Sequence, residues 1–173
     1  SELGEKLEII AVLDGYWPEF ELRSDPRVKY VHLGQNRGMR DAINAGVDIS
    51  RGKFIMRTDE HCMFGKGFDL IMSESCEPNW IITARRYCLD PVKWEIMDVP
   101  FVDYEKLCIQ SAKNAKKFTG IPWTERQEEQ KDIMIDETMA MQGSCWVMTR
   151  QWWNKVIGNE GMGAIWVEAT VLV

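Results

Sequence analysis

Gly38-Met-Arg-Asp-Ala-Ile-Asn-Ala-Gly46 and, a short step later, Gly52-Lys-Phe-Ile-Met-Arg-Thr-Asp-Glu-His61 carry two different periods. In the first, Met39, Ala42, Ile43, Gly46 and then Ile49 recur at helical spacing, and Gly52 supplies a stop. In the second, Phe54-Ile-Met56 is a short apolar strand that runs into acidic residues. Upstream, Val28-Lys-Tyr-Val-His-Leu33 alternates in part and is rich in β-branched and aromatic side chains, so it reads as a strand, with Gly34–Asn36 as a turn. Further upstream, Leu7–Leu13 reads as a buried strand that ends at the turn pair Asp14-Gly15. Strand, strand, helix, strand in that order predict an α/β domain with a largely parallel sheet.

Downstream, Phe68–Ser75 reads as a helix and Trp80–Arg86 as a further strand. Lys113–Asp132 is polar and carries Gly120-Ile-Pro122; it is expected to be a mobile surface segment with a helical piece. Apolar character returns over Met139–Met148, ahead of Arg150-Gln-Trp-Trp153 and a glycine-rich turn. The strands at 7–13, 28–33, 54–58 and 80–85 are expected in one mostly parallel sheet with the 38–50 helix on its face. A single domain is expected over residues 1–173.

Composition removes several classes of function. A net charge of −6 is the wrong sign for a protein that grips a phosphate backbone, so no nucleic-acid partner is expected. An acidic chain can still hold a nucleotide sugar if a divalent cation supplies the positive charge. No apolar run approaches the roughly 20 residues of a membrane span, and Ser1–Glu8 is too polar for a signal peptide. The five cysteines are odd in number and form no Cys-x-x-Cys pair, which predicts free thiols and a cytoplasmic location.

The chemistry concentrates in Asp59-Glu60-His61, at the end of the short buried strand. Open α/β sheets bind ligands beyond the carboxyl ends of their strands. On an extended tip, alternate residues point the same way, which puts Asp59 with His61 and Glu60 opposite. A carboxylate and an imidazole suit a divalent cation, manganese or magnesium, that bridges the phosphates of a nucleotide diphosphate. A solvated acidic loop is the plainer reading of the same residues.

Three blocks taken together resemble the GT-A domain of family-2-like glycosyltransferases. They are Ile9-Ile-Ala-Val-Leu-Asp-Gly15, Asn36-Arg-Gly-Met-Arg-Asp-Ala-Ile-Asn-Ala-Gly46 and Gly52-Lys-Phe-Ile-Met-Arg-Thr-Asp-Glu-His61, with matches at Asn36, Gly38, Ala42, Asn44, Gly46 and Gly52. The Asp-x-His variant of the D-x-D type motif, followed by Cys62, is similar to the polypeptide N-acetylgalactosaminyltransferases. The resemblance continues through Gln142–Arg150 and ends at Gly163-Ala-Ile-Trp-Val-Glu168. It implies a metal-assisted glycosyltransferase, hexosyl or N-acetylhexosaminyl, that moves sugar from a UDP-linked donor to a carbohydrate or other hydroxyl acceptor. It assigns Asp14 to the nucleotide base, Arg40 to the nucleotide, Asp59 to ribose or metal and His61 to metal. Glu168 is then the late carboxylate near the acceptor, a general base if the reaction inverts, and Trp166 an aromatic that stacks on a sugar. Asp136-Glu137 is a competing acidic pair, read as a helix start or loop.

The resemblance also implies a further strand and helix ahead of Leu7 and a helix after Val173, so the sequence is expected to hold a partial domain that is inactive by itself. Two other readings remain: a nucleotidyltransferase, which would need a Gly-rich basic loop that this sequence lacks, and a non-catalytic nucleotide-sugar-binding domain.

Overall fold

The computed structural model describes residues 1–109, 118–141 and 143–157. They form two compact units, one of residues 1–82 with 147–157, the other of residues 83–146.

In the first unit, strand β1 (Ile9–Asp14) pairs in parallel with β2 (Val28–Leu33), in a register from Ile9↔Val28 to Asp14↔Leu33. Helix α1 (Met39–Ile49) lies against them, and Gly46 is what lets it come close. A Cβ there would stand 3.2 Å from Val12 Cγ2. Gly15 is required more strictly, since its φ is +73° and a Cβ would meet Asn36 N at 2.3 Å. After α1 come β3 (Phe54–Thr58), α2 (Phe68–Ser75) and β4 (Ile81–Ile82). The chain returns to this unit through β7 (Cys145–Thr149), whose Val147, Met148 and Thr149 are buried, and then α4 (Arg150–Val156). Thr149 caps α4 by accepting from Trp152 N, while its hydroxyl donates to Pro78 O at 2.8 Å.

The unit is α/β, but the single parallel sheet expected from the sequence is not what forms. The strands fall into a parallel β1–β2 pair and a three-stranded sheet in the order β3-β7-β4, with β4 antiparallel to β7. Side chains explain the division. Where a β1–β3 ladder would begin, the Glu8 carboxylate accepts from Arg51 N and from Gly52 N at 3.0 Å, so these amides are spent on a side chain. The Arg150 guanidinium donates to Gly52 O at 2.8 Å and to Ser50 Oγ, and Arg150 N donates to Lys53 O, which ties the start of β3 to the end of β7. Strand β4 also stops short of its expected end at Arg86: next in line, Thr83 Oγ1 takes Cys145 O at 3.0 Å, in competition with a continued ladder.

In the second unit, β5 (Glu105–Ile109) pairs antiparallel with β6 (Phe118–Pro122), and α3 (Thr124–Glu129) follows. The polar segment thus carries its expected helical piece, α3, together with a strand, β6, that was not expected. Two of its charges are matched by ion pairs, Glu125 with Lys106 at 3.2 Å and Arg126 with Asp136 at 2.8 Å, and elsewhere in the unit Arg86 pairs with Glu105 at 3.0 Å and Arg85 with Asp103 at 2.7 Å. Among the described residues, no helix is long and apolar enough to cross a membrane.

Candidate functional site

The carboxyl ends of β1 and β3 and the N-terminus of α1 carry the predicted residues. Asp14 is the last residue of β1, and its carboxylate accepts from Arg37 N at 2.7 Å and Gly38 N at 2.8 Å. Helix α1 has no cap from a side chain of its own N-terminus, so Asp14 serves it from across the turn. This structural duty uses part of the carboxylate's accepting capacity; four lone-pair sites are available in all. Beside it, Trp17 stacks on His32 with ring centroids 4.5 Å apart. Arg40, the second residue of α1, is half-buried.

Beyond the end of β3, Asp59 Oδ2 lies 3.8 Å from His61 Nε2. Asp59 and His61 are thus close, as expected, but not by alternation along an extended tip, since β3 ends at Thr58. Glu60 does not stay opposite: its Oε1 lies 3.4 Å from the other ring nitrogen, His61 Nδ1. The reason is a turn, closed by Cys62 N donating to Asp59 O at 3.4 Å, which swings three consecutive side chains toward each other. Glu60 is held somewhat below the usual carboxylate range, first by its own backbone amide and then by His61.

One residue that the sequence reading passed over belongs to this group. Arg57 Nη2 contacts Asp59 Oδ1 at 2.5 Å and also donates to Met39 Sδ at 3.3 Å. Met39 opens α1, directly after Gly38, whose amide Asp14 holds. Asp14, Gly38-Met39, Arg57, Asp59 and His61 therefore form a connected chain of contacts across the strand ends. The signal in the sequence was the place of Arg57, next to last in β3 and two residues before Asp59.

Among the described residues, no group of three or more His, Cys, Asp or Glu side chains could hold a metal ion. The Asp59–His61 pair still fits one that is shared with a ligand. One carboxylate oxygen and one imidazole nitrogen are a suitable donor set, and magnesium-type cations that bind phosphates take few protein ligands. Trp166 and Glu168 lie outside the described residues. Asp136, the competing acid, is engaged in the second unit, where it accepts from Tyr104 Oη at 2.9 Å and pairs with Arg126. Burial, and then this bond to Asp136, push the Tyr104 phenol up to about 12.

A sequence profile of glycosyl transferase family 2 matches residues 4–156. No curated protein and no solved structure shows a significant match to the chain.

Proposed function

The chain belongs to glycosyl transferase family 2, and from that premise we propose that it moves a hexosyl or N-acetylhexosaminyl group from a UDP-linked donor to an acceptor hydroxyl, aided by manganese or magnesium. Membership of the family supports glycosyl transfer from a nucleotide sugar, within a GT-A α/β fold. The observation that carries the finer reading is the approach of Asp59 Oδ2 to His61 Nε2 at the carboxyl end of β3.

In this reading Asp59 and His61 would hold the cation. When bound, it supplies positive charge to the diphosphate as the sugar–phosphate bond breaks. The chain's own residues do the remainder. Asp14 keeps α1 in place through Arg37 N and Gly38 N, and its spare lone pairs accept from the base. Arg40, on the first turn of α1, adds positive charge near the phosphates, where the helix N-terminus also favours an anion. Glu168 takes the acceptor proton or positions the acceptor, and Trp166 offers a flat face to a sugar ring.

The test is a thermal-shift screen of UDP-sugars with and without Mn2+, followed by donor hydrolysis and transfer assays. A Mn2+-dependent rise in melting temperature is expected for a UDP-sugar, lost in Asp59→Ala and weakened in His61→Ala. Binding without hydrolysis or transfer would leave a nucleotide-sugar-binding domain. Stabilisation by a nucleoside triphosphate alone would favour a nucleotidyltransferase.

A further inference from the structure

We infer that Arg57 is a positioning residue for the metal-binding carboxylate, clamping Asp59 Oδ1 so that Oδ2 alone is presented beside His61. The inference rests on the function proposed above and adds to it a residue and a mode of ligation. A carboxylate beside a cation can bind through one oxygen or both, and it swings freely unless its second oxygen is held. Here the second oxygen is held at 2.5 Å by the Arg57 guanidinium, while Oδ2 is 3.8 Å from His61 Nε2. The clamp is well sheltered, with Arg57 and Asp59 side chains only 15% and 23% exposed, against 70% for His61. It is also anchored at its far side, because the same Nη2 donates to Met39 Sδ at the head of α1. Arginine suits this work: its planar guanidinium fixes the directions of the two N–H bonds on Nη2, which a freely rotating lysine ammonium does not. Asp59 is therefore a one-oxygen ligand, and the helix that carries Gly38 and Arg40 is mechanically joined to it.

The experiment titrates Mn2+ into the protein with uridine diphosphate present, following free Mn2+ by its EPR signal, and separately titrates uridine diphosphate in EDTA. Outer-shell partners of metal ligands are typically worth 10- to 100-fold in metal affinity. Arg57→Gln is expected to weaken Mn2+ binding about tenfold while affinity for uridine diphosphate in EDTA is unchanged, an outcome that general loosening of the fold would not give. Arg57→Lys should recover part of the loss. Met39→Leu, which keeps the helix and removes only the sulfur, should lose less than Arg57→Gln. In an Asp59→Ala background, Arg57→Gln should add nothing, since the two act as a unit. Equal or tighter Mn2+ binding in Arg57→Gln overturns the inference, because Arg57 would then merely compete with the ion. If the wild type binds uridine diphosphate but shows no Mn2+ dependence, the metal reading falls with it. If the wild type binds no nucleotide at all, the proposed function itself fails.

Discussion

The Arg57–Asp59 pair of the first unit and the ion pairs of the second use the same residue types, arginine against aspartate or glutamate, to opposite ends. In the second unit the charges are closed on themselves. Arg86 holds Glu105, whose side chain is 7% exposed, and Asp136 accepts from both the Tyr104 hydroxyl and Arg126. In the first unit, Asp59 is paired through one oxygen only, and its other oxygen faces an imidazole that is largely open to water. A cluster of charges is thus no sign of a site. What marks one is a ligating atom left pointing outward after the structural contacts have been made.

That contrast makes its largest prediction in the second unit. Glu105→Ala would leave the Arg86 guanidinium, with its side chain 22% exposed, without its carboxylate. Removing one partner of a buried ion pair costs about 3 kcal/mol or more. Urea unfolding should show that loss, while the Mn2+ midpoint for uridine diphosphate binding, measured without denaturant, should stay within about twofold of wild type, because Glu105 shares no partner with Asp59 or His61. A stable Glu105→Ala protein with impaired nucleotide binding would break the comparison, because the closed cluster would then be functional.

The elements with strong apolar periodicity were legible before any coordinates. Strand β2 at Val28–Leu33 and helix α2 at Phe68–Ser75 fall where the pattern put them, and α1 and β3 start within a residue of their expected ends. The parallel pairing of β1 with β2 was legible, but the division into two sheets was not. Glu8 spends the amides of Arg51 and Gly52, and Arg150 draws the start of β3 to β7; neither contact leaves a periodic trace. Strand β6 was missed for a different reason. Its surroundings are polar, and a strand whose neighbours are matched by ion pairs does not need an apolar face. In the site, the expected closeness of Asp59 and His61 is found, but a turn at Asp59–Cys62 and not a two-residue period produces it, and the same turn carries Glu60 to the ring from which the period would have kept it.

A second, smaller prediction concerns acid. Asp69, in the first turn of α2, is buried and accepts from Ser1 Oγ, Glu2 N and Leu3 N. Burial alone would raise its pKa; the Ser1 hydroxyl and the amides of Glu2, Leu3 and Leu70 outweigh it and hold the carboxyl well below the usual range. A depressed folded pKa means that the stabilisation is complete above the unfolded value, about 3.9, and is lost as pH falls toward the folded one. Melting temperatures of wild type and Asp69→Asn should therefore differ by a constant amount above about pH 5 and converge below about pH 4. A gap that is unchanged down to pH 2.5 would mean that Asp69 contributes through shape and not through charge.

The smallest effect is expected at Glu60, and it repeats the comparison between the units within a single turn. Glu60 and Asp59 both approach His61, at 3.4 Å and 3.8 Å, and on distance alone Glu60 is the closer partner. Their surroundings differ. The Glu60 side chain is 91% exposed and the Asp59 side chain 23%. Exposed charge pairs are screened by water and give 0–1 kcal/mol, so Glu60→Gln should shift the Mn2+ midpoint by about fivefold at most. That is below the shift expected for Arg57→Gln, although Arg57 touches the ion's ligand and not the ion. If Glu60→Gln instead costs tenfold or more, the turn must fold Glu60 inward when the cation binds. Asp59, Glu60 and His61 would then be three ligands on one ion, and side-chain exposure would be a poor guide to which carboxylate does the binding.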